Sequence, residues 1–426
     1  MENMRDSGVK WIGDIPSHWE IKFLHQVVSC VKNKNLDLAE KNLLSLSYGK
    51  IKRKDINTNE GLLPLSFENY NVIEKGDIVL RLTDLQNDHT SLRVGRAEEK
   101  GIITSAYTTL RPFDINYSKY LYYLLHSFDI KKGFYGMGSG VRQGLGYDEL
   151  KNSLVLVPPL AEQTAIAKYL DKVGAQIDDI VEETKKSAED YKKLRLSVIS
   201  EAVTCGLDKN AEMKESGIEW IGKVPKGWKV IKIKQVGKTS SGATPSRSKE
   251  FDYFENASIP WIKTLDLNDS NIFESSEKIT QEALNKSSCS IMPIDTVCVA
   301  MYGGAGTIGK CGQLKIQAAT NQAICSIVCN EKIFSNFLLY HLIAIRQYWM
   351  YYALGTRKDP NINQNVVSEM KIILPPLPEQ KAIAEYLDKK CAAIDEIIAE
   401  KENLITDLEL YKKSLIYETV TGKRKV

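Results

Sequence analysis

The sequence lacks any long apolar run. No uninterrupted apolar stretch approaches the roughly 18 to 20 residues that a helix needs to cross a bilayer. The first six residues have no apolar core of the kind that a secretory signal requires. We therefore predict a protein that is not integral to a membrane and that stays in the cytoplasm. Its 426 residues exceed what one hydrophobic core usually organises, so two or more domains are expected.

The sequence also lacks the residue patterns of metal sites and of enzymes. Its eight cysteines form no C-x-x-C pair and mostly lie in apolar runs, which predicts buried thiols. Its five histidines are scattered and leave no zinc site. The sequence contains no G-x-S-x-G, no helicase or kinase signature and no Asn/Asp-Pro-Pro-Tyr/Phe tetrapeptide of amino-methyltransferases. It therefore predicts no catalytic residue, no metal and no cofactor in this chain.

Net charge is small as well. Lysine and arginine number 57 against 54 aspartates and glutamates, a formal charge of +3. A chain that binds nucleic acid alone is expected to be more basic. Any basic surface here is therefore expected to be local, or to be completed by partner proteins.

What the sequence does contain is an internal repeat, the feature that decides the fold when it is present. A Pro-Pro-Leu-x-Glu-Gln stretch at residues 158–163 returns at residues 375–380. Across residues 157–172, 12 of 16 positions are identical 217 positions later. A Trp-Ile-Gly-x-x-Pro-x-x-Trp segment that begins at Trp11 returns at Trp220. The chain is therefore predicted to be a tandem duplication.

Each repeat consists of a leading segment around the tryptophans, a middle of about 130 residues, and a helical arm. The middles contain short β-rich runs bounded by Gly, Asn and Asp turn signals. Each ends with an aromatic-rich helix, at residues 117–128 and 334–352. Both middles are predicted to be α+β, with a shared scaffold and different sequences.

The arms carry helix start signals and a heptad pattern. Pro378 and Glu379 suit the first turn of a helix. Side chains then recur at alternating spacings of three and four, which predicts coiled-coil pairing. The predicted pairing residues are Ile177, Ile180, Tyr191, Leu194 and Val198 in the first arm, and Ile394, Ile397, Leu404, Leu408, Tyr411 and Leu415 in the second. Because a whole domain separates the arms, an antiparallel, pseudo-two-fold pairing is expected.

A glycine loop at residues 304–310 matches G-x-G-x-x-G and nearly completes a P-loop. A P-loop needs Ser or Thr after its lysine and a helix directly behind it. Here Cys311 follows the lysine, and a strand-like run comes next. We favour a loop between strands in which Tyr302, Thr307 and Lys310 approach a phosphate backbone or a base edge. Nucleotide binding by this loop is the alternative.

Four further loops combine turn residues with cations, as a DNA-binding surface requires. The candidate DNA-binding residues in them are Lys50, Lys52, Arg53 and Lys54; Arg142 and Gln143; Thr244, Ser246, Arg247 and Lys249; and Arg357 and Lys358. For any single cluster a solvated surface is the alternative. The second and fourth loops lie at matching places before the two arms, which favours a shared role. Asn321 and Gln322 are predicted either to contact an adenine or to form a turn.

Taken together, three motifs resemble the specificity subunit of type I restriction-modification systems. They are the Pro-Pro-Leu-x-Glu-Gln-x-x-Ile-Ala-x-Tyr-Leu-Asp arms at Pro158 and Pro375, the tryptophan segments at Trp11 and Trp220, and the Gly-x-Thr-Pro-Ser loop at Gly242. The resemblance implies that each middle is a target recognition domain for one half of a split sequence in double-stranded DNA. It also implies that the paired helices set the gap between the halves.

The same resemblance implies partners. Two adenine methyltransferase subunits are expected to dock on the helices, and restriction/translocase subunits to join them. S-adenosylmethionine, ATP and Mg²⁺ are then expected on those partners, and this chain is expected not to be an enzyme. The implied domains are 1–157, the first recognition domain with its leading segment; 158–215, the first helical region; 216–373, the second recognition domain; and 374–426, the second helical region.

Two other functions compete with this interpretation. One is a nucleotide-binding enzyme that uses the loop at residues 304–310. The other is a coiled-coil scaffold without sequence-specific DNA binding. Only the specificity-subunit interpretation predicts a two-part DNA target with a fixed gap, and it predicts that alanine at Lys52, Arg53 or Arg247 weakens DNA binding most visibly at raised salt.

Overall fold

The computed structural model describes residues 3–56, 64, 66–88, 90–137, 144–303, 306–353 and 361–426. It contains two compact units. Unit 1 comprises Met1–Lys185 and Asn403–Val426, and unit 2 comprises Lys186–Glu402. Each unit therefore combines one middle with the head of one helical arm and the tail of the other.

Unit 1 is a set of short antiparallel strands packed against helices. Its strands are β1 (Met4–Asp6), β2 (Asp14–Pro16), β3 (Glu20–Phe23), β4 (Val28–Cys30), β5 (Leu44–Ser47), β6 (Lys50–Arg53), β7 (Asn71–Ile73), β8 (Ile78–Leu80), β9 (Val94–Arg96), β10 (Gly101–Ile103), β11 (Thr108–Pro112) and β12 (Leu154–Val157). Its central sheet has the order β4-β11-β8-β9, while β1–β2, β3–β12, β5–β6 and β7–β10 form antiparallel pairs.

Two helices of unit 1 precede the first arm. They are α1 (Tyr117–Ile130) and α2 (Tyr147–Leu150), and the arm itself is α3 (Leu160–Cys205). Tyr120, Leu121 and Leu124 of α1 belong to the same buried cluster as Ile78 and Leu110 of the central sheet. The aromatic-rich helix predicted from the sequence therefore covers one face of this sheet.

Unit 2 has larger, mixed sheets. Its strands are β13 (Met213–Glu215), β14 (Lys223–Pro225), β15 (Lys229–Lys232), β16 (Gly237–Ser241), β17 (Ile259–Ile262), β18 (Ser270–Ile272), β19 (Glu277–Ile279), β20 (Ile291–Met292), β21 (Val297–Ala300), β22 (Cys311–Leu314), β23 (Ala318–Thr320), β24 (Ile324–Cys329) and β25 (Lys371–Leu374). One sheet has the order β16-β24-β21-β22-β18 and a second has the order β19-β17-β23-β20. The β17–β23 and β18–β22 pairs are parallel.

Five short helices of unit 2 lie between these strands in the chain, and the second arm follows the last strand. They are α4 (Glu250–Phe254), α5 (Gln281–Lys286), α6 (Ser335–Ala344), α7 (Trp349–Ala353) and α8 (Gln364–Glu369), followed by the second arm, α9 (Leu377–Val420). With both units mixing helices and mainly antiparallel sheets, the predicted α+β fold is confirmed.

Strand β21 shows why some strands of the middles have apolar residues at every position. Val297 and Val299 point into one buried cluster, while Cys298 and Ala300 point into another. Successive side chains of a strand face opposite sides of the sheet, so a sheet that is covered on both faces needs apolar residues at every position. The predicted burial of Cys298 and Cys325 is confirmed, and Cys329 is half-buried.

The two repeated motifs contact each other in each unit. The indole Nε1 of Trp19 donates to the Glu162 carboxylate at 2.7 Å, and that of Trp228 donates to Glu379 at 2.9 Å. Both tryptophans are almost fully buried. A buried N–H needs an acceptor, and a carboxylate is favoured in the first turn of a helix. The leading segment and the arm motif are therefore two halves of one contact.

A second pair of repeated contacts attaches the aromatic helices. Tyr123 of α1 donates its hydroxyl to Asp171 at 2.7 Å, and Tyr340 of α6 donates to Asp388 at the same distance. Tyr340 lies 217 positions after Tyr123, and Asp388 lies 217 positions after Asp171. Each middle is thus fastened to the head of its own arm by the same tyrosine and aspartate.

The tail of the other arm completes each unit. Gly422, just past the end of α9, has φ +71°, and a Cβ there would lie 2.3 Å from Pro16 and 3.1 Å from the Trp19 ring. Gly206, directly after α3, has φ +78° and lies against Trp228 in the same way. Glycine tolerates this left-handed conformation and the close approach of the ring.

Within each unit the helical segments run antiparallel. The cross-helix ion pairs are Asp178–Lys412 and Lys185–Glu409 in unit 1, and Lys192–Glu402 and Arg195–Asp395 in unit 2. In both units the partner number falls as the residue number rises. The predicted antiparallel pairing of the arms is therefore observed inside each unit.

The buried stripe of the arms differs in part from the predicted one. Ile177, Ile394 and Leu415 are buried, and Tyr191, Val198, Ile397 and Leu408 are half-buried. Ile180, Leu194, Leu404 and Tyr411 are 46–47% exposed instead. The structure buries Val181, Ala188 and Ile398, because the spacing of the contact face runs four-then-three where the prediction ran three-then-four. The predicted pairing role of those four exposed residues was wrong.

The Trp228–Glu379 contact yields a stability prediction. Glu379→Ala removes the acceptor of a buried indole and a favourable charge at the start of α9, so we expect a loss of about 1 to 3 kcal/mol in the free energy of unfolding. Urea denaturation followed by far-UV circular dichroism measures it. Glu385→Ala, on an exposed position of the same helix, is the matched control, and an equal loss there would contradict the assignment.

The buried imidazole of His341 yields a pH prediction. It is fully buried, its Nε2 accepts the backbone N–H of Ile373 at 3.0 Å, and burial lowers its pKa from 6.5 to about 4. Below pH 6.5 the imidazole is therefore protonated in the unfolded chain but stays neutral in the folded chain. Stability from this group is complete above pH 6.5 and falls by up to about 3 kcal/mol as the pH drops to 4.

Comparison of unfolding midpoints between pH 7 and 4.5 tests this expectation. Carboxylates also titrate in that range, so the informative quantity is the difference in slope between the wild type and His341→Gln, whose amide keeps an acceptor for Ile373. The variant is expected to lose less stability on acidification. Parallel curves would show that His341 does not contribute.

Candidate nucleic-acid interface

The β5–β6 hairpin presents the first cluster of predicted DNA-binding cations. In β5, Leu44 and Leu46 are buried while Ser45 and Ser47 are half-buried, which fixes one face of the hairpin in unit 1. Lys50, Lys52 and Lys54 are exposed, and within the described residues none of them lies at ion-pair distance from a carboxylate. These ammonium groups are therefore available to phosphates.

Arg53 differs from its lysine neighbours. Its Nε donates to both carboxylate oxygens of Glu99, at 2.7 and 2.9 Å, and its Nη2 also bonds that carboxylate. These hydrogen bonds lower the pKa of the Glu99 carboxyl. The guanidinium is thus neutralised by a partner in its own unit, although it remains largely exposed.

The hairpin turn adds a residue that sequence reasoning missed. Tyr48 and Gly49 have φ +47° and +75°, the pair of left-handed conformations found in tight two-residue hairpin turns. Tyr48 is 77% exposed despite its large ring. A Tyr-Gly pair between two β-like runs was the available signal. An aromatic ring at the tip of a basic hairpin is suited to contact bases or sugars.

The Gly-x-Thr-Pro-Ser loop of unit 2 is built around a close backbone approach. A Cβ on Gly242 would lie 2.1 Å from the Thr320 carbonyl oxygen, so only glycine fits there. The Ala243 carbonyl accepts the indole N–H of Trp261 at 3.1 Å. With its start anchored in this way, the loop presents Thr244 and Ser246 at the surface.

The two cations of this loop contact neighbouring side chains. Arg247 forms a bidentate pair with Glu277, at 2.6 and 2.9 Å, and its Cζ lies 4.1 Å from the centre of the Phe254 ring. Glu277 also bonds Lys263 at 2.9 Å. The Lys249 ammonium lies 5.4 Å from the centre of the Tyr253 ring and is exposed. Arg247 is therefore held in place, while Lys249 keeps its donors for a ligand.

The glycine loop lies between β21 and β22, which pair antiparallel. Among the described residues, the strand β22 and not a helix follows the loop, as the sequence predicted, whereas a nucleotide-binding P-loop requires a helix there. Gly304 and Ala305 are outside the described residues. Around them, Arg346 donates to the Gly306 carbonyl and to Asp269, each at 2.7 Å. Among the loop's candidate residues, Tyr302, Thr307 and Lys310 are half-buried.

The remaining candidates divide between a turn and undescribed segments. Asn321 accepts the backbone N–H of Ala323 at 3.1 Å, which is the turn role weighed for it. Arg142, Gln143, Arg357 and Lys358 lie outside the described residues, so their predicted roles stay predictions.

Among the described residues, no group of three or more His, Cys, Asp or Glu side chains is arranged to hold a metal ion. None of the described helices is long and apolar enough to cross a membrane. The β5–β6 hairpin and the loops of unit 2 offer cations, hydroxyls and exposed rings, which suit binding to an anionic polymer.

Comparison with known proteins agrees with this picture. The family model described as the type I restriction modification DNA specificity domain matches residues 16–190 and 225–407. The chain is 25% identical over 307 residues to the specificity subunit of the type I restriction enzyme EcoR124I/EcoR124II of Escherichia coli, covering 70% of this chain and 69% of that one. It is 25% identical over 423 residues to the MjaVIII specificity subunit of Methanocaldococcus jannaschii, covering 97% and 94%.

Solved structures show the same fold. A chain from work on the assembly and conformational transition of the type I R-M system has a TM-score of 0.72 at 16% identity, covering 96% of this chain and 99% of that one. The HsdS subunit from Thermoanaerobacter tengcongensis has a TM-score of 0.54 at 15% identity, covering 98% and 100%. With a family model that matches both repeats and relatives that span nearly its whole length, the chain belongs to the type I restriction modification DNA specificity domain family.

Proposed function

We propose that this chain is the DNA sequence-recognition subunit of a type I restriction-modification complex. Each middle reads one half of a two-part target in double-stranded DNA, and a spacer of fixed length separates the halves. The observation that carries this proposal is the repeated fastening of two different middles. Trp–Glu and Tyr–Asp contacts recur in both units with the same geometry.

The two units present different loops to solvent. Unit 1 presents a basic β-hairpin with an exposed tyrosine at its turn. Unit 2 presents the anchored loop around Gly242 and the loop between β21 and β22. Two unlike surfaces on one repeated scaffold suit the recognition of two unlike half-sites, since base contacts specify sequence and phosphate contacts position the protein.

Binding by unit 1 follows from its free ammonium groups. Lys50, Lys52 and Lys54 neutralise phosphates and release counterions, which provides affinity without sequence preference. Hydroxyls, amides and rings on the adjoining loops then contact base edges in the major groove. The modest net charge of +3 suits a subunit whose partners complete the grip on DNA.

Chemistry is delegated in this proposal. Two adenine methyltransferase subunits bind S-adenosylmethionine and take the target base out of the helix for methylation. Restriction/translocase subunits bring ATP and Mg²⁺. This chain recognises the target sequence and provides the helices on which the partners dock. It has no catalytic residue of its own and works in the cytoplasm.

The decisive experiment maps methylated adenines in DNA exposed to this chain and its methyltransferase partner. The expected result is one two-part motif with a constant gap. Methylation without any sequence motif would favour the coiled-coil scaffold. A single uninterrupted motif would contradict the proposal that each middle recognises one half-site.

Exchange of one middle tests whether each middle recognises its own half-site. Replacing residues 231–373 with the matching residues of another family member is expected to change one half of the motif and to leave the other half and the gap unchanged. Methylated-site mapping measures this directly. If both halves stay the same, the second middle does not read DNA.

A salt titration tests the hairpin cations. Lys52→Ala removes one phosphate contact, so the slope of log affinity against log salt is expected to fall by about one unit. Arg53→Ala is expected to change the slope less, because Glu99 already neutralises that guanidinium. Arg247→Ala is expected to behave like Arg53→Ala, because of its pair with Glu277.

Fluorescence anisotropy with a labelled duplex, over about 0.05 to 0.3 M salt, measures these slopes. Lys186→Ala, an exposed lysine on α3, is the control for a lost charge away from the hairpin. Equal slopes for the wild type and Lys52→Ala would exclude the hairpin from the interface.

A further inference from the structure

Two cross-helix contacts of the arms recur at positions related by the internal repeat, but only one of them also keeps its charges. A shift of 217 positions turns residue 178 into 395, 185 into 402, 192 into 409, and 195 into 412. The pairs 178–412 and 195–395 are therefore copies of one contact, and so are 185–409 and 192–402. Each contact occurs once in unit 1 and once in unit 2.

The first of these contacts has the same charges in both copies. Asp178 faces Lys412 at 2.6 Å, and Asp395 faces Arg195 at 2.9 Å. Each arm thus contributes one acid and one base at equivalent positions. This contact would form equally well if an arm paired with an identical arm from another copy of the chain.

The second contact has its charges separated by arm. Lys185 and Lys192 both lie on α3, while Glu402 and Glu409 both lie on α9. The pairs are 3.6 Å for Lys185–Glu409 and 3.2 Å for Lys192–Glu402. Lys192 also contacts Glu189 on its own helix at 3.0 Å. At these two positions the first arm is wholly basic and the second is wholly acidic.

Substituting an identical arm at this contact changes its sign. In a pair of two α3 helices with the same geometry, Lys185 would face Lys192 twice. In a pair of two α9 helices, Glu402 would face Glu409 twice. Charges that flank the contact face of a coiled coil are known to set the choice of partner, because like charges oppose the wrong pairing.

A neighbouring contact adds to the same preference. The Lys401 ammonium of α9 lies 5.3 Å from the centre of the Tyr191 ring of α3. The repeat equivalent of Tyr191 is Leu408, which has no aromatic face to offer a cation. A second copy of α9 would therefore leave Lys401 without this partner.

We propose that these charges select the pairing of the first arm with the second arm and oppose the pairing of either arm with its own copy. A chain with two such similar helical arms needs this discrimination, since the repeated arm heads are identical at 12 of 16 positions. The surface that α3 offers fits a helix with acids at these two positions. The proposal concerns assembly of the chain itself and is independent of its DNA target.

Charge variants of the full-length chain recreate each wrong pairing in the native geometry. Lys185→Glu with Lys192→Glu gives the charge arrangement of two second arms, and Glu402→Lys with Glu409→Lys gives that of two first arms. Each double variant is expected to lower the apparent unfolding midpoint by about 1 to 3 °C at about 0.02 M salt. At about 0.5 M salt the loss is expected to shrink to less than half, because screening weakens exposed charges.

The fourfold variant restores both cross-helix pairs with reversed signs, although the contact of residue 192 with Glu189 on α3 stays lost. Its midpoint is expected to lie above those of both double variants and within about 1 °C of the wild type. Lys185→Gln with Lys192→Gln removes attraction without adding repulsion, and is expected to fall between the wild type and the glutamate variant. This neutral pair also keeps the comparison available if the glutamate variant fails to fold.

Lys172→Glu with Lys186→Glu is the matched control. Both lysines are exposed on α3, neither has an ion-pair partner among the described residues, and the change in net charge is the same. A control loss equal to that of the Lys185 and Lys192 variant would overturn the proposal. So would a fourfold variant that stays as unstable as the double variants.

Discussion

The buried indole N–H of Trp19, and its counterpart in Trp228, is the constraint on which each unit depends. A ring of that size contributes much apolar surface, but its N–H must find an acceptor once water is removed. Glu162 and Glu379 supply one in the first turn of an arm, where a negative charge is favoured. The fold of each middle is thereby coupled to the start of a helix that lies more than 140 positions away in the sequence.

The tails of the arms make each unit depend on distant chain as well. Gly422 packs on Trp19, and the Tyr120 hydroxyl donates to the Val420 carbonyl at 2.7 Å. Unit 1 is therefore complete only when the end of α9 and Gly422 pack against the first middle and its leading segment. In unit 2, Gly206 plays the part of Gly422. Because each unit contains the head of one arm and the tail of the other, both units form only when the two arms pair with each other.

Repetition and divergence have separate physical roles in this chain. Contacts that hold a middle on an arm repeat as Trp–Glu and Tyr–Asp pairs, because their geometry leaves little freedom for other side chains. Solvent-facing loops diverge, since nothing in the core restrains them. Two of the predicted cations, Arg53 and Arg247, are bound by carboxylates of their own units, whereas the lysines of the hairpin keep their donors for a ligand.

The sequence by itself determined the duplication, the α+β class, the start of both arms and the family resemblance, because long identical motifs and helix start signals are local patterns. It also led correctly to a loop between strands at residues 304–310, since Cys311 cannot replace a P-loop hydroxyl. Only the tertiary structure decided which heptad face is buried. Ile180 and Val181 are both apolar, and packing against the partner helix chose Val181. The structure likewise decided which cations are engaged, because Glu99 and Glu277 reach their arginines from 46 and 30 positions away, and sequence spacing carries no record of such meetings.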